Sequence, residues 1–271
     1  IMRLEGRRMS RNVDDRRSMG PKGKASLGIG GTLIAGLIIW LLGGDPLSFF
    51  TQQAVDNTSQ SYTYTPTAAD EEAANFAKVI LAGTEDVWTE IFRQSGLTYT
   101  PPKMVLFTQA TQSGCGGAYS QTGPFYCPVD QALYIDLSFF SQMKNQLNAG
   151  GDFAYAYVIA HEVGHHVQNL IGTLEKVHQQ QQRIGEAESN QLNVRLELQA
   201  DFYAGIWGYY DNKTFNSLEQ GDIEEALNAA TQIGDDRLQM ESQGYVVPDA
   251  FNHGTSAQRM RWLKKGLETG D

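Results

Sequence analysis

The residues of this chain best suited to chemistry lie in the run His161-Glu162-Val163-Gly164-His165. If the run is helical, the two histidines are four residues apart on one face, so both imidazoles can bind a single metal ion. This spacing is typical of zinc metallopeptidases, in which zinc polarises a carbonyl group and lowers the pKa of water to about 7. Glu162 lies beside the first ligand, where it can take a proton from water. The pattern predicts one Zn²⁺ bound by His161 and His165, with Glu162 as the general base.

A catalytic zinc ion needs a third protein ligand and one open position. Two carboxylates, again four residues apart on one helix face, lie in the segment ELQAD, residues 197–201. We predict that Glu197 is the third ligand and that Asp201 accepts a hydrogen bond from His161, which orients the ring. Two alternatives remain open: Asp201 is the ligand and Glu197 is not, or both are solvated carboxylates.

Hydrolysis also needs a group that stabilises the negative charge developing on the carbonyl oxygen. His253, in a loop with glycine and asparagine before the last predicted helix, is our candidate catalytic residue for this task. A loop histidine can instead be structural, and Tyr203 and Tyr210 are alternative donors. His166 follows the motif but is rotated by about 100° from the ligand face, so we expect it to pack or to support a ligand.

Helices are predicted to position these residues. A helix over residues 152–171 would carry the histidines, and it should be buried because its apolar residues are dense on all sides. A second long helix over residues 186–210 would carry the carboxylates. Short strands are predicted at residues 104–107 and 132–137. The predicted fold class is therefore α+β, mainly helical with a small sheet.

The charge of the chain is unevenly distributed. The net charge is −10 over 271 residues, yet residues 1–26 hold eight Lys and Arg against three Asp and Glu, a net charge of +5. The remainder carries −15, which argues against nucleic acid as its partner.

An uncharged stretch at residues 25–44 predicts a transmembrane helix over residues 27–44, since about 20 helical residues span the core of a bilayer. The preceding Lys and Arg predict a single-pass protein with a cytoplasmic N-terminus and an extracytoplasmic body, periplasmic or at the cell surface. A cleaved signal peptide and a buried core helix are the alternatives. The predicted parts are a basic cytoplasmic head (1–26), a transmembrane anchor (27–44), a polar linker (45–69) and a zinc metallopeptidase domain (70–271).

Cys115 and Cys127 are the only two cysteines of the chain. In an oxidising compartment an even pair predicts one disulfide, which would close the loop of residues 115–127 and contribute about 3 kcal/mol. Two free thiols are the alternative. A zinc site built on these cysteines is not expected, because common zinc sites need closely spaced cysteine pairs.

A set of motifs spread over nearly the whole chain resembles the bacterial "putative neutral zinc metallopeptidase" family, the YpfJ-like proteins. Besides the basic head and the apolar span, the motifs are residues 43–46, 113–116, 125–128, 134–136, 161–166, 197–201 and 253–256. More broadly, HExxH followed by ExxxD is similar to the gluzincin pattern. The resemblance implies a zincin-like domain with an edge strand that takes the substrate peptide as an added strand. Residues 132–137 are our candidate for that strand, with the loop of residues 115–127 as a wall of the cleft or only as a brace.

The leading hypothesis is a membrane-anchored, extracytoplasmic zinc metallopeptidase that acts on peptide or protein substrates. The alternative is a catalytically silent, membrane-tethered binding or scaffold protein with the same fold. Glu162 argues against that alternative, because binding zinc requires no general base. A purely structural zinc site is disfavoured, since such sites are closed and rich in cysteine. We expect no nucleic-acid partner, and the sequence leaves the oligomeric state open.

Overall fold

The computed structural model of the chain describes residues 1–19 and 64–271. These residues form six β-strands and eight α-helices. The strands are β1 (Val13–Asp15), β2 (Lys103–Leu106), β3 (Ala110–Ser113), β4 (Gly116–Tyr119), β5 (Phe125–Cys127) and β6 (Ala132–Ile135). The helices are α1 (Ala68–Gln94), α2 (Ser138–Asn145), α3 (Asp152–Leu170), α4 (Thr173–Gln181), α5 (Glu186–Phe215), α6 (Asp222–Gln232), α7 (Asp235–Gln243) and α8 (Ser256–Thr269). The predicted mainly helical α+β fold with a small sheet is confirmed.

Helix α3 forms the centre of the main core. It contacts α1, α5 and α6, and its residues Phe153, Tyr157 and Ile159 are fully buried. This burial on several sides is what its dense apolar composition predicts. The long helix predicted over residues 186–210 continues to Phe215 as α5 and ends at Asn216, which has a left-handed φ of 48°.

Two glycines allow α5 and α8 to touch backbone to backbone. A Cβ atom on Gly205 would lie 2.4 Å from the carbonyl oxygen of Leu263, and one on Gly266 would lie 2.3 Å from that of Phe202. Any larger side chain at either position would push the helices apart. The C-terminal helix is therefore held tightly against the long helix.

The four-stranded sheet has the order β1-β2-β6-β5, with β1, β2 and β6 parallel and β5 antiparallel to β6. Successive side chains of a strand point to opposite faces of the sheet. Accordingly, Met104 and Leu106 join the main helical core, whereas Val105 and Phe107 belong to a second apolar cluster. The hairpin of β3 and β4 adds Ala118 to that second cluster. The hairpin thus covers the face of the sheet that points away from the helices.

The described part of the predicted head packs against the body of the protein. Strand β1 pairs in parallel with β2, and Met2 is buried in the main core. The Arg7 guanidinium donates two hydrogen bonds to the Asp211 carboxylate, at 2.6 and 2.9 Å, and lies 4.0 Å from the centre of the Phe215 ring. Residues 1–19 therefore contribute both a strand and a buried ion pair to the folded body.

The predicted single-pass membrane protein is wrong. No helix within residues 1–19 and 64–271 is long and apolar enough to cross a bilayer, and the predicted anchor, residues 27–44, lies outside the described residues. A single crossing between the two described ranges would hold β1 and β2 on opposite sides of a bilayer, whereas these strands pair with each other. A cytoplasmic head with an extracytoplasmic catalytic domain is therefore incompatible with this sheet.

The predicted disulfide between Cys115 and Cys127 is confirmed. It joins the turn between β3 and β4 to strand β5, and the two Cα atoms are 5.8 Å apart. Cys127 is fully buried in the second apolar cluster, while Cys115 is exposed. The bond fastens the covering hairpin to the sheet.

Candidate metal centre

The two helices with metal-ligand motifs approach each other closely at Gly164, the fourth residue of the HEVGH run. A Cβ atom on Gly164 would lie 3.1 Å from the carbonyl oxygen of Ala200 and 3.2 Å from its Cα. Because both contacts are with backbone, a larger residue would force α3 and α5 apart. The glycine inside the motif therefore lets the histidines of α3 face the carboxylates of α5.

The three predicted ligands come together where these helices meet. Nε2 of His161 lies 3.0 Å from one Glu197 oxygen, and Nε2 of His165 lies 3.1 Å from the other. One donor atom from each residue can be chosen so that all three lie within 4.8 Å of one another. These side chains thus converge on a single point from two helices.

This donor set fits zinc. Two imidazole nitrogens and one carboxylate are ligands that catalytic zinc takes, and three protein ligands leave the fourth position open. Donors about 2.1 Å from a tetrahedral ion are about 3.4 Å apart, so small movements from the separations of 3.0 and 3.1 Å would accommodate it.

The second ring nitrogen of His161 is also engaged. Its Nδ1 donates to the Asp201 carboxylate at 2.8 Å, and Asp201 is fully buried. A hydrogen on Nδ1 leaves the lone pair of Nε2 for a metal, so this contact fixes both the tautomer and the direction of the ring. The structure therefore places Asp201 behind His161, while Glu197 is on the open side.

Two residues that the sequence did not suggest complete the surroundings of Asp201. The Tyr157 hydroxyl donates to Asp201, and the Arg259 guanidinium donates to both carboxylate oxygens, at 2.9 and 3.1 Å. A buried carboxylate requires such partners, because an unpaired charge inside a protein is costly. Knowing that Asp201 is buried would have pointed to a need for such partners, but the spacing of residues along the sequence does not show that burial.

An uncharged side chain, that of Gln168, holds His165, and the sequence did not suggest this residue either. Nδ1 of His165 donates to the Gln168 side-chain oxygen at 2.9 Å. The amide of Gln168 donates to the Leu196 carbonyl at 2.8 Å and to the Gln199 side chain at 2.9 Å, so its orientation is set by α5. The i to i+3 spacing of His165 and Gln168 on α3 was the available signal.

The carboxylates around the histidines favour protonated rings. Burial lowers the pKa of His161, but Asp201 and Glu197 outweigh it and raise the pKa to about 10. Burial likewise lowers the pKa of His165, yet Glu197 raises it more, so the pKa is above its usual value. A metal ion that binds these nitrogens must displace protons.

Glu162 is 9% exposed and lies next to His161 in α3. Burial raises the pKa of its carboxyl group, although His165 and His161 act in the opposite direction. A buried carboxylate with a raised pKa is better matched to proton transfer near neutral pH than a solvated one.

His253 lies in a loop that packs against α5. Its Nδ1 is 3.3 Å from Asp235, whose other oxygen accepts the backbone N–H groups of residues 252–254. Gly254 lies next to the Leu198 side chain, so the loop borders the helix that carries Glu197. His253 itself is half exposed.

The other predicted candidates are buried, as His166 is, or partly buried, as Tyr203 and Tyr210 are. Tyr203 stacks edge-on against Trp88, and Tyr210 packs on the main core. His166 is fully buried, with its ring nitrogens 2.7 Å from the Tyr126 hydroxyl and 2.7 Å from the Thr100 carbonyl. These contacts give all three residues packing partners within the fold.

The prediction that residues 132–137 form an edge strand is wrong. Strand β6 lies between β2 and β5 and pairs on both sides, so it has no free edge. The edge near the helix that carries the two histidines is β5, which contacts α3. The Tyr126–His166 hydrogen bond ties this strand to the same helix.

Replacing Asp201 by asparagine is expected to lower zinc affinity roughly 10- to 100-fold, because a side chain that orients a ligand histidine typically contributes that much. Competition with a chromophoric chelator measures the affinity. Asp211→Asn is a matched control, since Asp211 is also a buried α5 carboxylate paired with an arginine. An equal loss in both variants, or no loss for Asp201→Asn, would contradict the assignment.

Comparisons with known proteins match the chain to one family. The model of the family described as "Putative neutral zinc metallopeptidase" matches residues 2–271. The uncharacterized protein YpfJ of Escherichia coli strain K12 is 51% identical over 100% of this chain and 96% of its own length. The uncharacterized protein Rv2575 of Mycobacterium tuberculosis strain H37Rv is 39% identical over 85% of this chain and 82% of its own length. No solved structure gives a significant match.

Proposed function

Because this chain belongs to the putative neutral zinc metallopeptidase family, we propose that it hydrolyses peptide bonds at the centre formed by His161, His165 and Glu197. The observation that carries the proposal is the convergence of these donors from two helices, with the buried Glu162 beside them. A site that only bound metal would not need that fourth residue.

The three ligands would hold one zinc ion. When bound, zinc supplies a Lewis acid that polarises the scissile carbonyl and activates water. Asp201 and Gln168 hold the two imidazole rings by their Nδ1 atoms, so both Nε2 atoms stay directed at the same point. The protein thus fixes the donor geometry before substrate arrives.

Glu162 moves the proton. Its carboxylate accepts a proton from the attacking water as the new C–O bond forms, and then delivers that proton to the amine nitrogen as the C–N bond breaks. No net proton is gained or lost by the residue over one turnover. Its burial keeps the carboxylate out of bulk water.

His253 would stabilise the negative charge on the carbonyl oxygen. Asp235 accepts from its Nδ1–H, so Nε2 donates to the carbonyl oxygen from the imidazolium form of the ring, in which both nitrogens carry hydrogen. His253→Gln is expected to lower kcat about 100-fold, the effect of losing one such donor, without changing zinc affinity. Rates at saturating substrate test this, and an unchanged kcat would remove His253 from the mechanism.

The substrate is proposed to be a peptide or an unfolded protein segment. Strand β5 supports this class, because a sheet edge beside the metal-binding helix can pair with an extended peptide backbone. The disulfide and the Tyr126–His166 contact hold that edge in place. Backbone pairing favours extended peptides over compact folded substrates.

Incubation of the full chain with casein, followed by mass spectrometry of new amino termini, tests the proposed function. Cleavage is expected, with loss in the chelator 1,10-phenanthroline and recovery when zinc is restored. A fully zinc-loaded chain that cleaves neither casein nor a mixed peptide library would favour the catalytically silent binding protein instead.

A further inference from the structure

We propose that Arg259 is a positioning residue of the metal centre, acting on His161 through Asp201. The inference rests on the proposed function, since it concerns how the same centre holds its metal. Arg259 lies on α8, away from both metal-binding helices in sequence, yet its side chain is almost fully buried. A buried arginine with fixed partners needs an explanation in terms of what it holds.

The Arg259 guanidinium donates a hydrogen bond to each oxygen of the Asp201 carboxylate. Nε of Arg259 donates to Oδ2 at 2.9 Å, and Nη2 donates to Oδ1 at 3.1 Å. Nη2 also lies 3.3 Å from the Tyr157 hydroxyl oxygen. A planar guanidinium that bonds both oxygens sets the plane of the carboxylate as well as its position.

The orientation of the carboxylate plane determines whether Oδ1 of Asp201 can accept the hydrogen bond from His161. Oδ1 accepts hydrogen bonds from His161, Tyr157 and Nη2 of Arg259, whereas Oδ2 accepts one from Nε of Arg259. If the carboxylate rotated, Oδ1 would move away from Nδ1 of His161, and the ring would lose its anchor. The other nitrogen of that ring faces Glu197 at 3.0 Å, so Arg259 acts at the metal position through two intervening groups.

The way α8 begins and packs positions Arg259 beside Asp201. Thr255 and Gln258 form a capping box, in which each side chain bonds the backbone N–H of the other residue, so the helix begins at Ser256. Further along, the contact between Gly205 and Gly266 presses the backbones of α5 and α8 together. The cap thus sets where α8 begins, and the glycine contact sets how closely α8 lies against α5, the helix that carries Asp201.

A simpler role would be to neutralise the buried charge of Asp201. Any cation of suitable length would do that, whereas only a planar two-point donor also sets the carboxylate plane. Arg259→Lys separates the two roles, since the variant keeps the positive charge but loses the planar pair of N–H donors. Arg261 offers a control on the same helix, because it is exposed and lies near Trp262 instead.

The test uses the full chain with Arg259→Lys, and with Arg261→Lys as the control. Zinc affinity is measured by chelator competition, the visible spectrum of the cobalt-loaded protein reports ligand geometry, and thermal unfolding of the metal-free protein reports the fold. Arg259→Lys is expected to bind zinc roughly 10- to 100-fold more weakly and to change the cobalt spectrum. Arg261→Lys should match the wild type in all three measurements.

A second comparison remains informative even if Arg259→Lys folds poorly. Arg259→Met combined with Asp201→Asn buries no charge at this pair, and Asp201→Asn alone is its reference. If Arg259 acts through Asp201, the double variant should lose little zinc affinity beyond the single one.

Wild-type zinc affinity and cobalt spectrum in Arg259→Lys, or an added loss of 10-fold or more in the double variant, would overturn the proposal. A chain that shows the Arg259 effect but cleaves no peptide would contradict only the proposed function. A wild-type chain that binds neither zinc nor cobalt would contradict both.

Discussion

Replacing Glu162 by glutamine is expected to reduce peptide hydrolysis by about 100- to 10,000-fold, the contribution of a positioned general base. Glutamine has nearly the same shape, so the packing of α3 should not change. It cannot take up the proton of water, however, and the leaving amine receives none. Because Glu162 is not among the three clustered donors, zinc content should stay at the wild-type level.

Hydrolysis of a fluorogenic peptide, with zinc measured on the same samples by plasma mass spectrometry, tests this expectation. Glu85→Gln is the matched control, because Glu85 is a buried glutamate of α1, outside the metal centre. The control should retain full activity. Activity close to wild type in Glu162→Gln would eliminate the proposed base.

Replacing Glu197 by alanine is expected to abolish stable zinc binding. Only two imidazoles would remain from the cluster, and catalytic zinc is held by three protein ligands. The loss should exceed the roughly 10- to 100-fold weakening expected when a group that only orients a ligand is changed. Hydrolysis should disappear together with the metal.

Zinc content after dialysis against buffer distinguishes this assignment from the alternative with Asp201 on the metal. Glu188→Gln is a suitable control, since Glu188 is an exposed residue in the first turn of α5. Full zinc content in Glu197→Ala would place the third ligand elsewhere, with Asp201 as the first candidate.

The spacing of neighbouring residues made it possible to predict the candidate metal ligands from the sequence. Residues four apart on a helix share a face regardless of the rest of the fold, so the spacing alone assigns the HExxH and ExxxD pairs to the faces of two helices. The dense apolar composition of residues 152–171 similarly predicted the buried position of α3. Each of these inferences depends only on neighbouring residues.

Contacts between residues that are far apart in the chain could not be predicted from the sequence. Arg259 and Tyr157 are 102 residues apart and meet at Asp201 only in the folded chain. Nothing in the spacing of these residues indicates that they meet. The same applies to β6, whose pairing on both sides depends on strands from other parts of the chain.

The membrane prediction failed for a related reason. Lys and Arg before an apolar stretch indicate a cytoplasmic flank, yet the side chains of Arg7 and Arg17 are largely enclosed and ion-paired within the fold. Strand β1 has only three residues, too few for an alternating pattern to appear in the sequence. Its pairing with β2 depends on residues about 90 positions further along the chain, which a local pattern cannot reveal.

Titration of zinc into the metal-free full chain, with bound zinc and peptide hydrolysis followed on the same samples, tests the central claim most directly. Both signals are expected to rise together and to level off at about one zinc ion per chain. Hydrolysis by the metal-free chain, or no hydrolysis at full zinc loading, would contradict a peptidase centred on His161, His165 and Glu197.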